Sequence, residues 1–551
     1  MATLCEDRFD MTEVSAEASD PKHAWPDAFE WGVFGLLLVL SVLVSLVLFF
    51  RQGPNAIWLA VNGTYISDQL NYLGWIQVAA RHLLISNPFT TAPTTADYLN
   101  PGLAISGLLT RAGVSPYLAY LVWEPVAVVV IFEGSRRYIR ALIEGVWARR
   151  AALVLALLYI APAAALVSWL NWPHWTNFYL LPAVDVEMWP VGYLWGYPFT
   201  AIAVGLMALC LLSYAGARRL NRPSVPAPAL AFFCAWLQPW QGATLGFIIV
   251  VSELLSRKRG DRTALSIPAA TLIAILIPLS YYSALSHFDP SWAEAGRANL
   301  TIFPNLPWQP ILVSILPMAL VGALVYRLPV RDFSDLALRS WPVAALCVYV
   351  VIAVFHVGTF PLHSLQGVGI PLAIMAVRGA QSLRFAQSLR LTYRPLAAVI
   401  ATLLIVLLVV PSGARQIKDI WNLGSPTILG PQPYFITHGD RDALTYLRND
   451  KTSGSVLAQF YLGQTIPAET GRQTWLGSYS WTPDFFRRIS TTNNLFAGKL
   501  SPVEVDRVVR SSSARFVLSA CNDNVNIAPA LHSMLRSVRH FGCATVYELK
   551  T

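Results

Sequence analysis

The sequence predicts a polytopic α-helical membrane protein that ends in a small α/β domain. Three observations predict it. The 551 residues are 55% hydrophobic and only 13% charged, with a mean hydropathy of +0.49, where a soluble domain carries about a quarter charged residues. The apolar residues gather in runs, many of them near the roughly 20 residues that a helix needs to cross a bilayer. Arg and Lys cluster between alternate runs. That is the positive-inside pattern, so the net charge of +9 does not signal a nucleic-acid partner.

Residues 1–30 are polar and acidic (Glu6, Asp7, Asp10, Glu13, Glu17, Asp20) and lack the basic start of a signal peptide. They read as a cytoplasmic tail. Residues 31–50 form the first span, with Arg51 at its far end. The polar stretch Ser67-Asp68-Gln69-Leu70-Asn71-Tyr72 follows closely. Apolar residues at helical spacing over 68–86 predict an amphipathic helix along the membrane surface, stopped by Asn87-Pro88.

Further spans are predicted at 115–133, 151–170 and 193–214. Two short apolar arms, 227–237 and 243–256, flank Gln238-Pro239-Trp240-Gln241-Gly242. That pattern predicts a hairpin of broken helices, tolerated at membrane depth only where it lines protein or a watery cavity. Runs at 264–285, 310–326, 342–357, 364–377 and 395–411 complete the membrane module of 31–411. The basic loops place the N-terminus in the cytoplasm and the C-terminal region outside, with about eleven crossings. Asp68, Asp185, Glu187, Arg297 and His363 then share the extracytoplasmic side.

Residues 412–551 read as a soluble domain. Strands fit 456–462, 472–477, 515–520 and 545–549, and helices fit 438–449, 483–497, 501–512 and 527–537. The alternation implies a small α/β layer structure, and no phosphate-binding glycine motif marks it for nucleotides. Of six cysteines, Cys210, Cys234 and Cys347 sit in apolar runs as filler. Cys521 and Cys543 could pair if their region meets an oxidising space.

Asp68 is the leading candidate for chemistry. It is either a helix-capping carboxylate or a general base that takes the proton of an acceptor hydroxyl. Gln69 and Tyr72 would orient sugar or acceptor, Tyr72 having the alternative of an interfacial anchor. Asp185 and Glu187 form either a divalent-cation pair or, the preferred reading, a solvated loop. Asp97 is a rival acid, and Glu124 is an ionisable group within a span. A lipid phosphate needs a cationic partner. Arg297 is preferred because its loop is otherwise nearly uncharged, with His287, His356 and His363 as alternatives.

An acidic residue just past the first span, beside a predicted interfacial helix and ahead of many further spans, resembles the GT-C superfamily of membrane glycosyltransferases. The likeness is to architectures of the protein O-mannosyltransferase and arabinofuranosyltransferase kind. The stretches Tyr461-Leu462-Gly463, Thr470-Gly471-Arg472, Trp481-Thr482-Pro483-Asp484 and Leu365-Gln366-Gly367 resemble bacterial membrane proteins of this sort. Where O-mannosyltransferase-like members carry Asp-Glu, this chain has Asp68-Gln69.

The resemblance implies a polyprenyl-phosphate sugar donor, a glycan, lipid or protein acceptor, and a bacterial plasma membrane. It implies Asp68 as catalytic base or metal ligand. On this reading Arg297, with His363, holds the donor phosphate. The C-terminal domain docks the acceptor, with Trp475 and Trp481 either stacking on it or filling the domain core. The competing expectation is a transporter or flippase of lipid-linked glycans. It is disfavoured because the broken hairpin occurs once rather than in matching halves.

Overall fold

The computed structural model describes residues 25–63, 65–169, 181–301, 308–356, 360–383, 394–423, 433–523 and 525–550. Most of the expected acidic tail lies outside them. Seven helices among the described residues are long and apolar enough to cross a membrane, and the chain is an integral membrane protein.

The first is α1 (Ala28–Arg51), which opens on a capping box: Asp27 accepts from the Glu30 amide and Glu30 from the Asp27 amide. Strand β1 (Ile57–Trp58) leads into α2 (Ile66–His82), which carries Asp68. Helix α3 (Pro101–Arg111) starts on the Asn100 cap. Helices α4 (Pro116–Leu121) and α5 (Trp123–Leu142) join into one crossing.

The run expected to cross at 151–170 is broken. It forms α6 (Val146–Leu158) and α7 (Pro162–Trp169), because the residue before a proline is driven out of helical geometry. Two short helices follow, α8 (Leu181–Met188) and α9 (Pro190–Tyr193), then the long α10 (Pro198–Leu220).

The expected broken hairpin is present. Helices α11 (Pro226–Leu237) and α12 (Pro239–Lys258) meet at the single extended residue Gln238. Pro239 cannot supply the amide that would continue α11. The arms pack tightly enough that a Cβ at Gly242 would stand 2.4 Å from Ala235 Cβ.

The module continues with α13 (Ser266–Phe288), α14 (Pro290–Thr301), α15 (Trp308–Gly322), α16 (Phe333–Phe355), α17 (Gly369–Ser382) and α18 (Arg394–Leu423). The expected boundary at 411 falls inside α18. Pro411 sits within this helix without ending it.

Glycines set a close crossing of the bundle. A Cβ on Gly134 of α5 would stand 2.5 Å from the Gly205 carbonyl oxygen of α10, and one on Gly205 2.4 Å from the Val130 carbonyl oxygen. Small residues let membrane helices approach in this way. Gly205→Val is expected to cost about 3 kcal/mol by overpacking, read as a lower detergent-solubilised melting temperature with loss of monodisperse protein.

After α18 come β2 (Phe435–Ile436), α19 (His438–Asn449), β3 (Val456–Ala458), α20 (Phe460–Gly463) and α21 (Ile466–Thr470). They are followed by α22 (Phe485–Phe496), α23 (Pro502–Ser512), β4 (Phe516–Ser519), α24 (Ala528–Leu531), β5 (Leu535–Phe541) and β6 (Ala544–Leu549). The sheet order is β3-β4-β6-β5, with β3 and β4 parallel and the rest antiparallel. The helix expected at 527–537 is instead one turn and the start of β5, where Val538 pairs with Tyr547.

Residue alternation gives this sheet two faces. Val456, Ala458, Phe516, Leu518 and Val546 join the core shared with the membrane module. Leu457, Val517, Tyr547 and Leu549 join a second core private to the domain. Cys521 and Cys543 are disulfide-bonded across 22 residues. Closing a loop of that size stabilises by about 3 kcal/mol in the chain-entropy account. Cys521→Ser/Cys543→Ser is therefore expected to lower the melting temperature of the C-terminal domain without altering membrane insertion.

The domain is bound into the first polar loop rather than tethered beside it. β1 pairs antiparallel with β2, Ile57 opposite Ile436. Tyr434 Oη donates to the Gly63 carbonyl at 2.8 Å. The fully buried Glu469 carboxylate of α21 receives Tyr117 Oη, Arg441 and Arg448.

Helix α2 is consequently not a surface helix. Gln77 Nε2 reaches the Ala468 carbonyl at 3.0 Å, and Ser67 Oγ bonds Gln464 Oε1. Leu70, Leu73, Ile76 and Ala79 are buried. The helix is clamped between membrane module and domain, because its apolar residues run more than halfway round rather than along one lipid-facing stripe.

Candidate active site

The α2 sequence places Asp68, Asn71, Tyr72 and Trp75 so that the last three follow Asp68 by three, four and seven residues. At 3.6 residues per turn they form one stripe. All four line a cavity of about 990 Å³ that opens between α2, α12, α13, α14, α16 and the Tyr479–Trp481 turn of the domain. Its upper walls are aromatic and amide-rich. Its lower wall, with Leu237, Phe247, Leu279, Val348, Val351 and Ile352, is apolar and belongs to the membrane helices.

Asp68 Oδ2 accepts from Tyr197 Oη at 2.7 Å. Burial pushes its carboxyl above the ordinary carboxylate range. The Tyr197 hydrogen bond and the His363 charge act against that shift, and the Glu187 charge adds to it. Asp68 is not a helix cap. The N-cap is Tyr65, without a side-chain cap bond.

Opposing Asp68 is a second polar cluster. His363 Nδ1 lies 2.8 Å from Glu187 Oε2, and Gln366 Nε2 donates to the same oxygen at 2.7 Å. Gln241 Nε2 holds the His363 carbonyl at 2.7 Å. Trp240 and Phe360 stand edge-on to the imidazole, with ring centres 4.6 and 4.9 Å away. The Gln238–Gly242 break thus supplies both wall and support: Gln238, Pro239 and Trp240 line the cavity, and Gln241 anchors His363.

The cavity therefore gathers Asp68, Tyr72, Glu187, His363 and Trp481. His287 and His356 line it as well, and the other candidates lie elsewhere. Gln69 points away from the cavity and is a structural brace: its Oε1 accepts from the Asn62 and Gly63 amides at 2.8 and 2.7 Å. Trp475 is buried in the domain's private core, with the Arg488 guanidinium over its ring at 4.9 Å.

Asp185 and Glu187 are not a solvated loop. Both are buried on helix α8, and two residues apart they project to opposite sides. Asp185 takes Ser314 Oγ and Trp189 Nε1, while Glu187 takes His363 and Gln366. The two carboxylates do not converge on a cation. Among the described residues no three His, Cys, Asp or Glu side chains form a metal-holding group.

Arg297 is exposed and does not line the cavity. Trp292 and Asn299, seven residues apart on α14, face the cavity together. Arg297 is two residues from Asn299 and so turns to the opposite side. Among the described lining residues the basic side chains are His287, His356 and His363, with no Lys or Arg.

Sequence reasoning did not single out Tyr197, Gln241, Gln366 or Asn71 as site residues. Tyr197 fell inside a predicted span, although Gly196-Tyr197-Pro198 marks a helix start there. Asn71 was visible as the residue one turn on from Asp68.

Fold and cavity together define a membrane protein with a largely apolar and aromatic chamber, holding a few polar groups, between its helix bundle and a C-terminal α/β domain. No protein-family model and no curated protein matches the sequence. Solved structures align with the fold. The Archaeoglobus fulgidus oligosaccharyltransferase AglB, in complex with an inhibitory peptide and a dolichol-phosphate, aligns over 92% of this chain and 71% of its own. Identity is 14% and the TM-score 0.43. Its complex with Zn and sulfate aligns over 93% and 73%, at 12% identity and a TM-score of 0.46. The form tethered to an acceptor peptide aligns over 94% and 74%, at 12% identity and a TM-score of 0.41. At these TM-scores no residue of this chain is matched to a role in those proteins.

Proposed function

We propose that the chain is a glycosyltransferase of GT-C kind that moves a sugar from a polyprenyl-phosphate donor to a cell-envelope acceptor. The observation that carries this is the composition of the chamber. A half-buried carboxylate, Asp68, stands across from the Glu187–His363 pair, between an aromatic wall suited to sugar and an apolar wall suited to a lipid chain.

Transfer is a direct displacement with inversion. The acceptor oxygen attacks the anomeric carbon, Asp68 takes its proton, and the bond from that carbon to the phosphate oxygen breaks. The leaving polyprenyl phosphate carries the electron pair away. As an imidazolium, His363 donates Nδ1–H to Glu187 and presents its Nε2–H edge to a phosphate oxygen. It takes the place expected of Arg297. Tyr197 holds one Asp68 oxygen and leaves the other for the acceptor.

The chamber faces the extracytoplasmic side of a bacterial plasma membrane. Arg136, Arg137, Arg140, Arg149, Arg150, Arg218 and Arg219 crowd the other ends of the helices. The Cys521–Cys543 disulfide suits an oxidising compartment.

The test is sugar transfer by the purified protein from a panel of polyprenyl-phosphate sugars to envelope glycans, lipids and peptides. Movement of lipid-linked sugar across liposomes without any transfer would replace this reading with a flippase.

A further inference from the structure

The chamber wall on the α2 side is built from four separate stretches of chain. Trp481, from the C-terminal domain, meets Trp75 of α2 with ring centres 5.0 Å apart and Trp292 of α14 at 4.9 Å, both edge-on. Tyr98 closes the group, 5.5 Å from Trp75 and 4.7 Å from Trp292. Tyr72 continues it toward Asp68, 5.8 Å from Trp75. A hydrophobic core would explain the rings but not the polar groups among them. Asn71 is 7% exposed, and its amide oxygen has no hydrogen-bond partner among the described residues. It lies on the cavity-facing stripe, three residues from Asp68. Asn299 and Ser480 line the same wall, bonded to each other at 2.7 Å.

We propose that this wall is the acceptor subsite and that the acceptor is a neutral glycan. Its terminal sugar rests on Tyr72, Trp75 and Trp481, and one of its hydroxyls bonds Asn71. The inference rests on the transferase reading above only for the word acceptor. The ligand class follows from the wall itself. Aromatic faces cover the apolar C–H side of a sugar. The buried amide needs a hydrogen-bonding ligand, since leaving it unpaired costs as much as losing a bond. A phosphorylated head group would bring a charge that no Lys or Arg among the described lining residues answers. One turn along α2 from Asn71 is Asp68, the carboxylate that takes the hydroxyl proton. The donor's sugar approaches from the opposite side, where His363 and the apolar wall hold phosphate and lipid.

Calorimetric titration of the full chain in detergent, with no donor present, tests this. The probes are linear oligosaccharides of mannose, galactose, glucose and arabinose, a Ser/Thr-containing peptide, and polyprenyl phosphate. At least one oligosaccharide is expected to bind. Asn71→Ala and Trp481→Ala are each expected to weaken it about tenfold, Trp481→Phe less, with polyprenyl phosphate binding unchanged in all three as the control for folding. Binding of the peptide and no oligosaccharide overturns the proposal. So does absence of oligosaccharide binding, or binding that neither alanine variant weakens. Glycan binding through these residues without sugar transfer leaves the subsite standing and removes the transferase reading. Sugar transfer to a peptide or lipid with no glycan binding does the reverse.

Discussion

Asp68→Asn is expected to lower kcat/KM about a thousandfold, the middle of the range for loss of a general base, while leaving the fold intact. Asparagine keeps the shape and still accepts from Tyr197, so the chamber should not collapse. It cannot take a proton. Stability should move the other way. The folded-state pKa of Asp68 is raised, chiefly by burial. Between the unfolded and folded values the folded protein binds more protons, so this group's contribution to stability falls as pH rises through that window. Wherever it is ionised, the carboxylate carries a desolvation cost that the neutral amide would not incur. The melting temperature of Asp68→Asn should therefore equal or exceed that of wild type. The same shift places the rising limb of the wild-type activity profile above the ordinary carboxylate range, because the base acts only when ionised. Equal transfer rates for the two proteins would remove Asp68 from the mechanism.

The second large effect is expected at His363. The donor phosphodiester carries one negative charge, and the departing polyprenyl phosphate carries close to two. A cation at the phosphate therefore binds the transition state more strongly than the ground state. With His363 as the cation across the chamber from Asp68, His363→Ala should cost about a hundredfold in kcat/KM for donor. The loss should appear in kcat as well as in donor KM. Glu187→Gln keeps an acceptor for Nδ1–H but removes the carboxylate, and should cost about tenfold, as for one charge-assisted hydrogen bond exchanged for a neutral one. Arg297→Ala should change neither parameter, since that side chain projects away from the chamber. Steady-state kinetics with donor varied at saturating acceptor would show it. A large loss at Arg297 with none at His363 would reverse the assignment.

Much of the membrane module was legible because bilayer thickness and positive-inside bias act on composition, run by run. The Gln238–Gly242 interruption was equally plain, since proline after a short apolar arm has few other solutions. The strands at 516–519 and 544–549 were visible as β-branched and aromatic runs bounded by turn residues. β5 was not. Its alternation is interrupted by Arg536, Arg539 and His540, and pairing with β6 decided it.

Site residues divided along the same line. Asp68 announced itself by position, just past a span and ahead of an apolar helix. Arg297 stood out as a scarce arginine in an uncharged loop, and only the helix phase turns it from the chamber. Trp475 and Trp481 lie close in sequence and are indistinguishable as letters, yet one fills the domain core and the other roofs the chamber.

By itself the sequence determined that this chain spans a membrane many times, which end of each span is basic, where the helix hairpin breaks, and which carboxylate follows the first span. Those properties depend on local composition and periodicity, and a single segment carries each of them. Only the tertiary structure decided that α2 is buried under the C-terminal domain, that Glu187 and His363 meet across 176 residues of chain, and that Arg297 stays outside. Such contacts depend on helix rotation and on how distant segments close over one another, which no segment encodes alone.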